Sequence, residues 1–146
     1  MASREEISLQ EMQALAEVRY NIRRFLRASE EILRAEGLKP QQYQLMLAIK
    51  GMPEGTPTTI SQVAERLQLQ HHSTVELTDR LATRALVKRK RAAEDRRQVL
   101  LELTPKGEKL LRDMAALHRN ELRLTGPALV TALRKVLSGS AGKDKT

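Results

Sequence analysis

The chain has no cysteine and no tryptophan, and its only aromatic residues are Tyr20, Phe25 and Tyr43. Without cysteine, disulfides, thiolate zinc sites and thiol-based redox sensing are excluded. So few aromatic rings argue against modules that stack bases on aromatic platforms, such as RRM and OB folds. No apolar run approaches the ~20 residues that span a bilayer. The opening Met1-Ala2-Ser3-Arg4-Glu5-Glu6 lacks the apolar core of a signal peptide. A soluble cytoplasmic protein that does not engage a membrane is expected. Catalytic signatures are missing too. There is no Gly-rich phosphate loop, no cysteine nucleophile and no His–carboxylate set at metal spacing, so the expectation is no enzyme, no cofactor and no metal.

What is present is charge in a particular place. A chain of 146 residues suits one domain around one core. It carries 26 basic and 18 acidic residues, a net charge of +8. Met1 to Glu36 is nearly neutral, with six basic and seven acidic residues. Arg84 to Arg97 holds seven basic residues (Arg84, Lys88, Arg89, Lys90, Arg91, Arg96, Arg97) against Glu94 and Asp95. A concentrated positive patch is what a polyanion selects, although a solvated basic face has the same composition.

Hydrophobic periodicity places the elements. Leu9, Met12, Leu15, Ile22, Phe25, Leu26, Ile32 and Leu33 predict a long helix from about Ser8 to Glu36, with Gly37 just past its end and Pro40 beyond. Such a helix would be ~43 Å long at 1.5 Å per residue, more than a small core needs. A second subunit is the simplest partner for the excess. Pro40 opens a second helix to Lys50, and Gly51 to Pro57 reads as a loop. Thr59-Ile60-Ser61-Gln62 fits a capping box before a short helix through Leu67. Gln68-Leu69-Gln70 is a tight turn, and His71 to Arg84 a further helix with Thr74, Leu77, Thr78 and Leu81 toward the core. The period then changes to alternation: Leu86–Arg91 and Val99–Leu103 predict a hairpin with a basic tip at 92–97. Thr104-Pro105 starts a helix to about Thr125. Gly126-Pro127 is expected to break it before a last short helix over Ala128–Leu137, and 138–146 reads as a disordered tail.

The order helix, tight turn, helix, basic hairpin describes a winged helix-turn-helix. The fold class is mainly α with one small β-hairpin. The module spans 40–104, flanked by helices at 8–37 and 105–137. Its physics suits double-stranded DNA: a major groove admits one helix, whose N-terminal part meets base edges, while the hairpin tip reaches the flanking backbone or minor groove.

These residues resemble the MarR family of bacterial transcription regulators. The strongest stretch is Glu94-Asp95-Arg96-Arg97-Gln98-Val99-Leu100-Leu101-Glu102-Leu103-Thr104-Pro105-Lys106-Gly107, which matches the family's wing pattern of Asp-x-Arg, an alternating strand and Leu-Thr-x-x-Gly. Val63-Ala64-Glu65-Arg66-Leu67, Leu77-Thr78-Asp79-Arg80-Leu81 and Leu86-Val87-Lys88-Arg89 match as well. The resemblance implies a homodimer held by the terminal helices. Two recognition helices would lie in successive major grooves of a pseudo-palindromic operator. Binding usually represses, and a small phenolic or otherwise lipophilic effector relieves it. The resemblance also implies that Asp95 holds Arg97, which enters the minor groove; the bland reading of that pair is a surface salt bridge.

The candidate DNA-binding residues are therefore His71, His72, Ser73, Thr74, Glu76 and Arg80 on the recognition helix, Arg89, Arg91, Asp95, Arg96 and Arg97 on the wing, and Thr59 and Ser61 at the preceding helix. Several carry alternatives. Ser73-Thr74-Val75-Glu76 is itself a capping box, which would start the recognition helix two or three residues later. Thr59 and Ser61 either cap their helix or help its N-terminus hold a phosphate. The adjacent His71 and His72 point ~100° apart on a helix, which disfavours shared metal binding. His118 reads as packing, dimer interface or pocket lining. Ala85 stands where the family commonly has glycine, so a left-handed turn there would be strained. Glu76 replaces a more usual polar or basic residue, and its carboxylate can accept from a cytosine amino group. Tyr20, Arg23, Tyr43, Met46 and Met52 are candidates for lining an effector pocket. The competing function is a winged-helix protein-interaction module without a small-molecule ligand.

Overall fold

The computed structural model describes residues 6–138; the expected tail beyond Ser138 and the first five residues lie outside them. The element order is α1 (Leu9–Arg34), α2 (Pro40–Lys50), α3 (Ile60–Leu67), α4 (His71–Thr83), β1 (Val87–Arg91), β2 (Val99–Leu103) and α5 (Pro105–Ser138). The fold class is as expected: helices with a single antiparallel hairpin. The chain divides into two compact units. One comprises residues up to Glu31 together with Leu117 onward, the other Ile32–Ala116. No helix of the described residues is long and apolar enough to cross a membrane.

Residues 32–116 hold the main core. Leu33, Leu45, Met46, Val63, Leu81, Leu86 and Leu101 are almost wholly buried and pack in one cluster with Tyr43, Leu77, Val87, Leu103, Leu111 and Met114. Burial raises the Tyr43 phenol above its usual value of 10.0, because the charged form loses its hydration. Each helix boundary has a local cause. The Ser8 hydroxyl accepts from the Glu11 N–H and so caps α1. At the other end, Gly37 takes φ +64° and the Leu38 N–H bonds to the Leu33 carbonyl. Pro40 occupies the first turn of α2, where its missing N–H has no intrahelical partner to lose.

The other unit buries little of its apolar surface. Ala14, Asn21, Ser29, His118 and Ala132 are buried, whereas Leu9, Met12, Leu15, Ile22, Leu26, Leu122, Leu124, Leu133 and Leu137 stay exposed. The Ser29 hydroxyl and His118 Nε2 share a hydrogen bond of 2.6 Å, and Phe25 meets the imidazole edge-on with centroids 6.4 Å apart. His118 thus has the packing role among those expected.

One expected break is absent. Gly126-Pro127 does not end α5, which runs unbroken from Pro105 to Ser138 with Pro127 inside it. A proline removes one intrahelical bond and crowds the carbonyl four residues before it. Here both Pro127 and Arg123 are exposed, so water can satisfy the freed carbonyl. Leu122, Arg123 and Leu124 before the Thr125-Gly126 pair, and Ala128 and Leu129 after the proline, are good helix formers that carry the helix through the defect.

Candidate nucleic-acid interface

The interface is built from α3, the turn after it, α4 and the hairpin, all within residues 32–116. Thr59 caps α3: its hydroxyl accepts from the Gln62 N–H at 3.2 Å. Ser61, the second residue of α3, is exposed. The turn between α3 and α4 closes because Gln68 adopts φ +54°, and the Leu69 N–H reaches the Ala64 carbonyl at 3.0 Å. The Gln68 side chain donates back to the Glu65 carbonyl at 2.8 Å, tying down a conformation that a non-glycine residue seldom takes.

Of the two possible starts for α4, the earlier one is formed. The helix begins at His71, and the Thr74 N–H bonds to the Gln70 carbonyl at 3.1 Å. Ser73 is therefore a half-buried residue inside the first turn. His71, His72, Glu76 and Arg80 are exposed. His72, Glu76 and Arg80 are four residues apart and form one line along the helix surface. Thr74 does not belong to that surface. It is fully buried and its hydroxyl donates to the Gln70 carbonyl, so it anchors the helix inward. Thr78 does the same one turn later, donating to the Thr74 carbonyl at 2.8 Å.

The wing is a regular antiparallel pair, with Val87 opposite Leu103 and Arg91 opposite Val99. Strand alternation puts Val87, Arg89 and Arg91 on one face and Lys88 and Lys90 on the other. Val87 is buried, and Arg89 extends that face toward α4, where its Nη2 meets Asp79 Oδ1 at 2.6 Å. On the opposite face Glu102 lies between Lys88 at 3.8 Å and Lys90 at 3.6 Å. Arg91 Nη1 donates to the Arg96 carbonyl at 2.7 Å, and Asp95 Oδ1 accepts from the Arg97 N–H at 3.0 Å. Asp95 therefore holds the backbone of Arg97. Both the Arg96 and Arg97 side chains are exposed at the tip.

Arg84 is not part of the basic surface. Its Nη1 donates to the Gly37 carbonyl at 3.0 Å, so the guanidinium ties down the turn that follows α1. Six basic residues of the 84–97 stretch remain on the hairpin.

The Leu-Thr-x-x-Gly motif proves to be a clamp behind the wing. Ala85 takes φ +59° at the end of α4, with its N–H on the Ala82 carbonyl and the Leu86 N–H on the Leu81 carbonyl. The Thr104 hydroxyl donates to the Ala85 carbonyl at 2.6 Å and accepts from the Gly107 N–H at 3.0 Å. A Cβ on Gly107 would lie 2.0 Å from the Leu86 carbonyl oxygen, so only glycine allows this approach. Lys106 Nζ adds a bond to the Arg84 carbonyl at 3.1 Å. Thr58, which no motif singles out, ties the loop before α3 to β2. Its carbonyl accepts from the Leu101 N–H and its hydroxyl donates to the Leu101 carbonyl, both at 2.8 Å, so it covers the free edge of β2.

The pocket candidates separate. Tyr43 and Met46 are buried in the core of residues 32–116, and Met52 packs against it. Tyr20 and Arg23 are exposed on α1 in the other unit, where Arg24 stacks over the Tyr20 ring at 5.5 Å.

A helix-turn-helix with its second helix exposed, followed by a basic hairpin, defines a winged helix-turn-helix. Comparison with known proteins narrows the class. The MarR family model matches residues 36–98. Over 93 residues the chain is 28% identical to an uncharacterized HTH-type transcriptional regulator, YsmB, of Bacillus subtilis (strain 168). That match covers 64% of this chain and 62% of the relative's length. The fold is similar to that of AbsC, a MarR family transcriptional regulator from Streptomyces coelicolor, with a TM-score of 0.73, 22% identity and coverage of 95% and 97% of the two chains. It is also similar to CouR from Rhodococcus jostii RHA1, solved bound to p-coumaroyl-CoA, with a TM-score of 0.63, 27% identity and coverage of 80% and 83%. Residues 36–98 thus resemble the MarR family of transcription regulators, and the fold is similar to that of its solved members.

Proposed function

We propose that the chain is a homodimeric, sequence-specific double-stranded-DNA-binding regulator, acting as a repressor that a small phenolic or lipophilic molecule releases. The observation that carries the DNA reading is the exposed line of His72, Glu76 and Arg80 on α4 beside a hairpin with Arg96 and Arg97 at its tip, the two tied by Asp79 and Arg89. His71, Ser73, Ser61, Arg89 and Arg91 complete the contact set, and Asp95 serves it by fixing Arg97. Thr59 serves it by capping α3.

The dimer reading draws support from the uncovered apolar residues of the terminal-helix unit. Leu9, Leu124 and Leu137 are 63%, 79% and 78% exposed, and burial of such side chains is worth ~1.5–3 kcal/mol each. A second copy supplies the covering surface. Effector release is supported by the similarity to CouR alone.

Duplex binding measured against salt tests the proposal. Affinity should fall steeply from 50 to 200 mM salt, by about 10³-fold or more if six or more phosphates are neutralised. Arg97→Ala should weaken binding and flatten that slope while leaving the dimer intact. A flat wild-type slope contradicts the electrostatic basis, and an unchanged Arg97→Ala affinity contradicts the role of the wing.

A further inference from the structure

The geometry points to Asp79 as a positioning residue that sets the wing against the recognition helix. It belongs to no expected set of contacts, and an acid on a DNA-facing helix is at first sight a defect, because it repels phosphate. Yet it makes a 2.6 Å charge-assisted contact with Arg89, and that contact joins the outer surfaces of α4 and β1.

From Arg89 the order continues outward. Arg89 and Arg91 share one face of β1. Arg91 holds the Arg96 carbonyl at 2.7 Å, and Asp95 holds the Arg97 N–H at 3.0 Å. The Gln98 N–H closes the tip onto the Asp95 carbonyl at 3.0 Å, and the Ala92 N–H bonds to Gln98 at 3.0 Å. These bonds keep the tip rigid on the strands, and Asp79 fixes the strands to α4. Asp79 thus acts through Arg89 on the distance between the recognition helix and Arg97.

This inference rests on the DNA-binding reading above, and it makes a prediction opposite in sign to simple electrostatics. If Asp79 were only a surface acid, Asp79→Asn would remove a repelling charge, free Arg89 for phosphate, tighten binding and steepen the salt slope. A positioning role predicts the reverse: duplex affinity about tenfold weaker, equal to ~1.4 kcal/mol, with a shallower slope.

Hydroxyl-radical footprinting of the full chain on a duplex it binds separates the two further. Protection should be lost selectively at the flanks that the wing covers and kept at the centre of each half-site. Asp79→Glu, which retains the carboxylate, should restore most of the flank protection. Arg89→Lys keeps the positive charge but loses the planar fork, and should lose flank protection in part. Equal melting curves establish that each variant is folded, and Arg89→Lys carries the test if Asp79→Asn is not. Tighter or unchanged binding, or a loss spread evenly over the footprint, would overturn the assignment. A wild-type chain with no salt-dependent duplex binding would instead remove the DNA reading itself, and the assignment with it.

Discussion

Replacing Ala85 by glycine should stabilise the protein, against the usual direction of that change. Ala85 sits at φ +59°, the left-handed region, where an L side chain costs ~1–2 kcal/mol. Glycine removes that cost but gives the unfolded chain more freedom, a loss of ~0.4–1 kcal/mol. The turn's own bonds, Ala85 N–H to Ala82 and Leu86 N–H to Leu81, both 2.9 Å, involve only backbone and are unaffected. The side chain is exposed, so deleting its methyl leaves no cavity. The net gain is ~0.5–1 kcal/mol, or ~2–3 °C in melting temperature for a chain of this size. Thermal melting at fixed protein concentration measures it, since a dimer's midpoint depends on concentration. The neighbouring glycine gives the opposite sign. Gly107→Ala drives a methyl to 2.0 Å from the Leu86 carbonyl oxygen, and the α5 start must move away from the β1 start. That overpacking should cost ~2–3 kcal/mol. A neutral or destabilising Ala85→Gly, with secondary structure unchanged, would refute the assigned turn geometry.

Thr104→Val should cost ~1–3 kcal/mol, because the Ala85 carbonyl and the Gly107 N–H lose one shared partner; chemical denaturation reads the loss. Pro127→Ala should raise stability by up to ~3 kcal/mol by restoring the missing bond inside α5. Amide exchange around Arg123 should slow in that variant, and unchanged exchange would mean the helix has already absorbed the defect. Tyr43 has its phenol raised above 10.0 by burial, so the folded state holds that proton more tightly than the unfolded state. Its contribution is therefore complete below pH ~10 and is lost as pH rises through the folded value. Denaturation midpoints should fall more steeply with alkaline pH in the wild type than in Tyr43→Phe.

The parts of the fold with a strong period or a strong local code were legible in the residues. The helix starts at Pro40 and Thr59 and the glycine at the end of α1 each follow from a residue whose backbone chemistry allows few alternatives, and the two strands follow from the change to alternation. Pro127 was misleading because a local rule took no account of the helix-forming residues around it. The start of α4 stayed open between two capping patterns, since Ser73 satisfies one and Gln70 caps with no side chain at all. Tertiary contacts decided it: Thr74 and Thr78 had to be buried.

The site was readable in outline but not in its division of labour. Charge counting could not separate Arg84, which serves carbonyls of the turn after α1, from Arg97, which faces outward. Nor could it find Asp79, whose value comes from a residue ten positions away on another element. Strand alternation contained the clue, because Arg89 continues the face of buried Val87 and must meet something above it. Thr74 looked available from its place in the first turn, yet the helical period already turned it inward beside Leu77, Thr78 and Leu81.

Selection of bound duplexes from a random pool tests most directly whether this is a dimeric, sequence-specific DNA binder. The expected product is an enriched, inverted pair of half-sites whose centres lie about one helical turn, ~34 Å, apart, with enrichment sharpest where α4 meets base edges and altered in Glu76→Gln. A pool that stays random, or one that yields single unpaired half-sites, would contradict it.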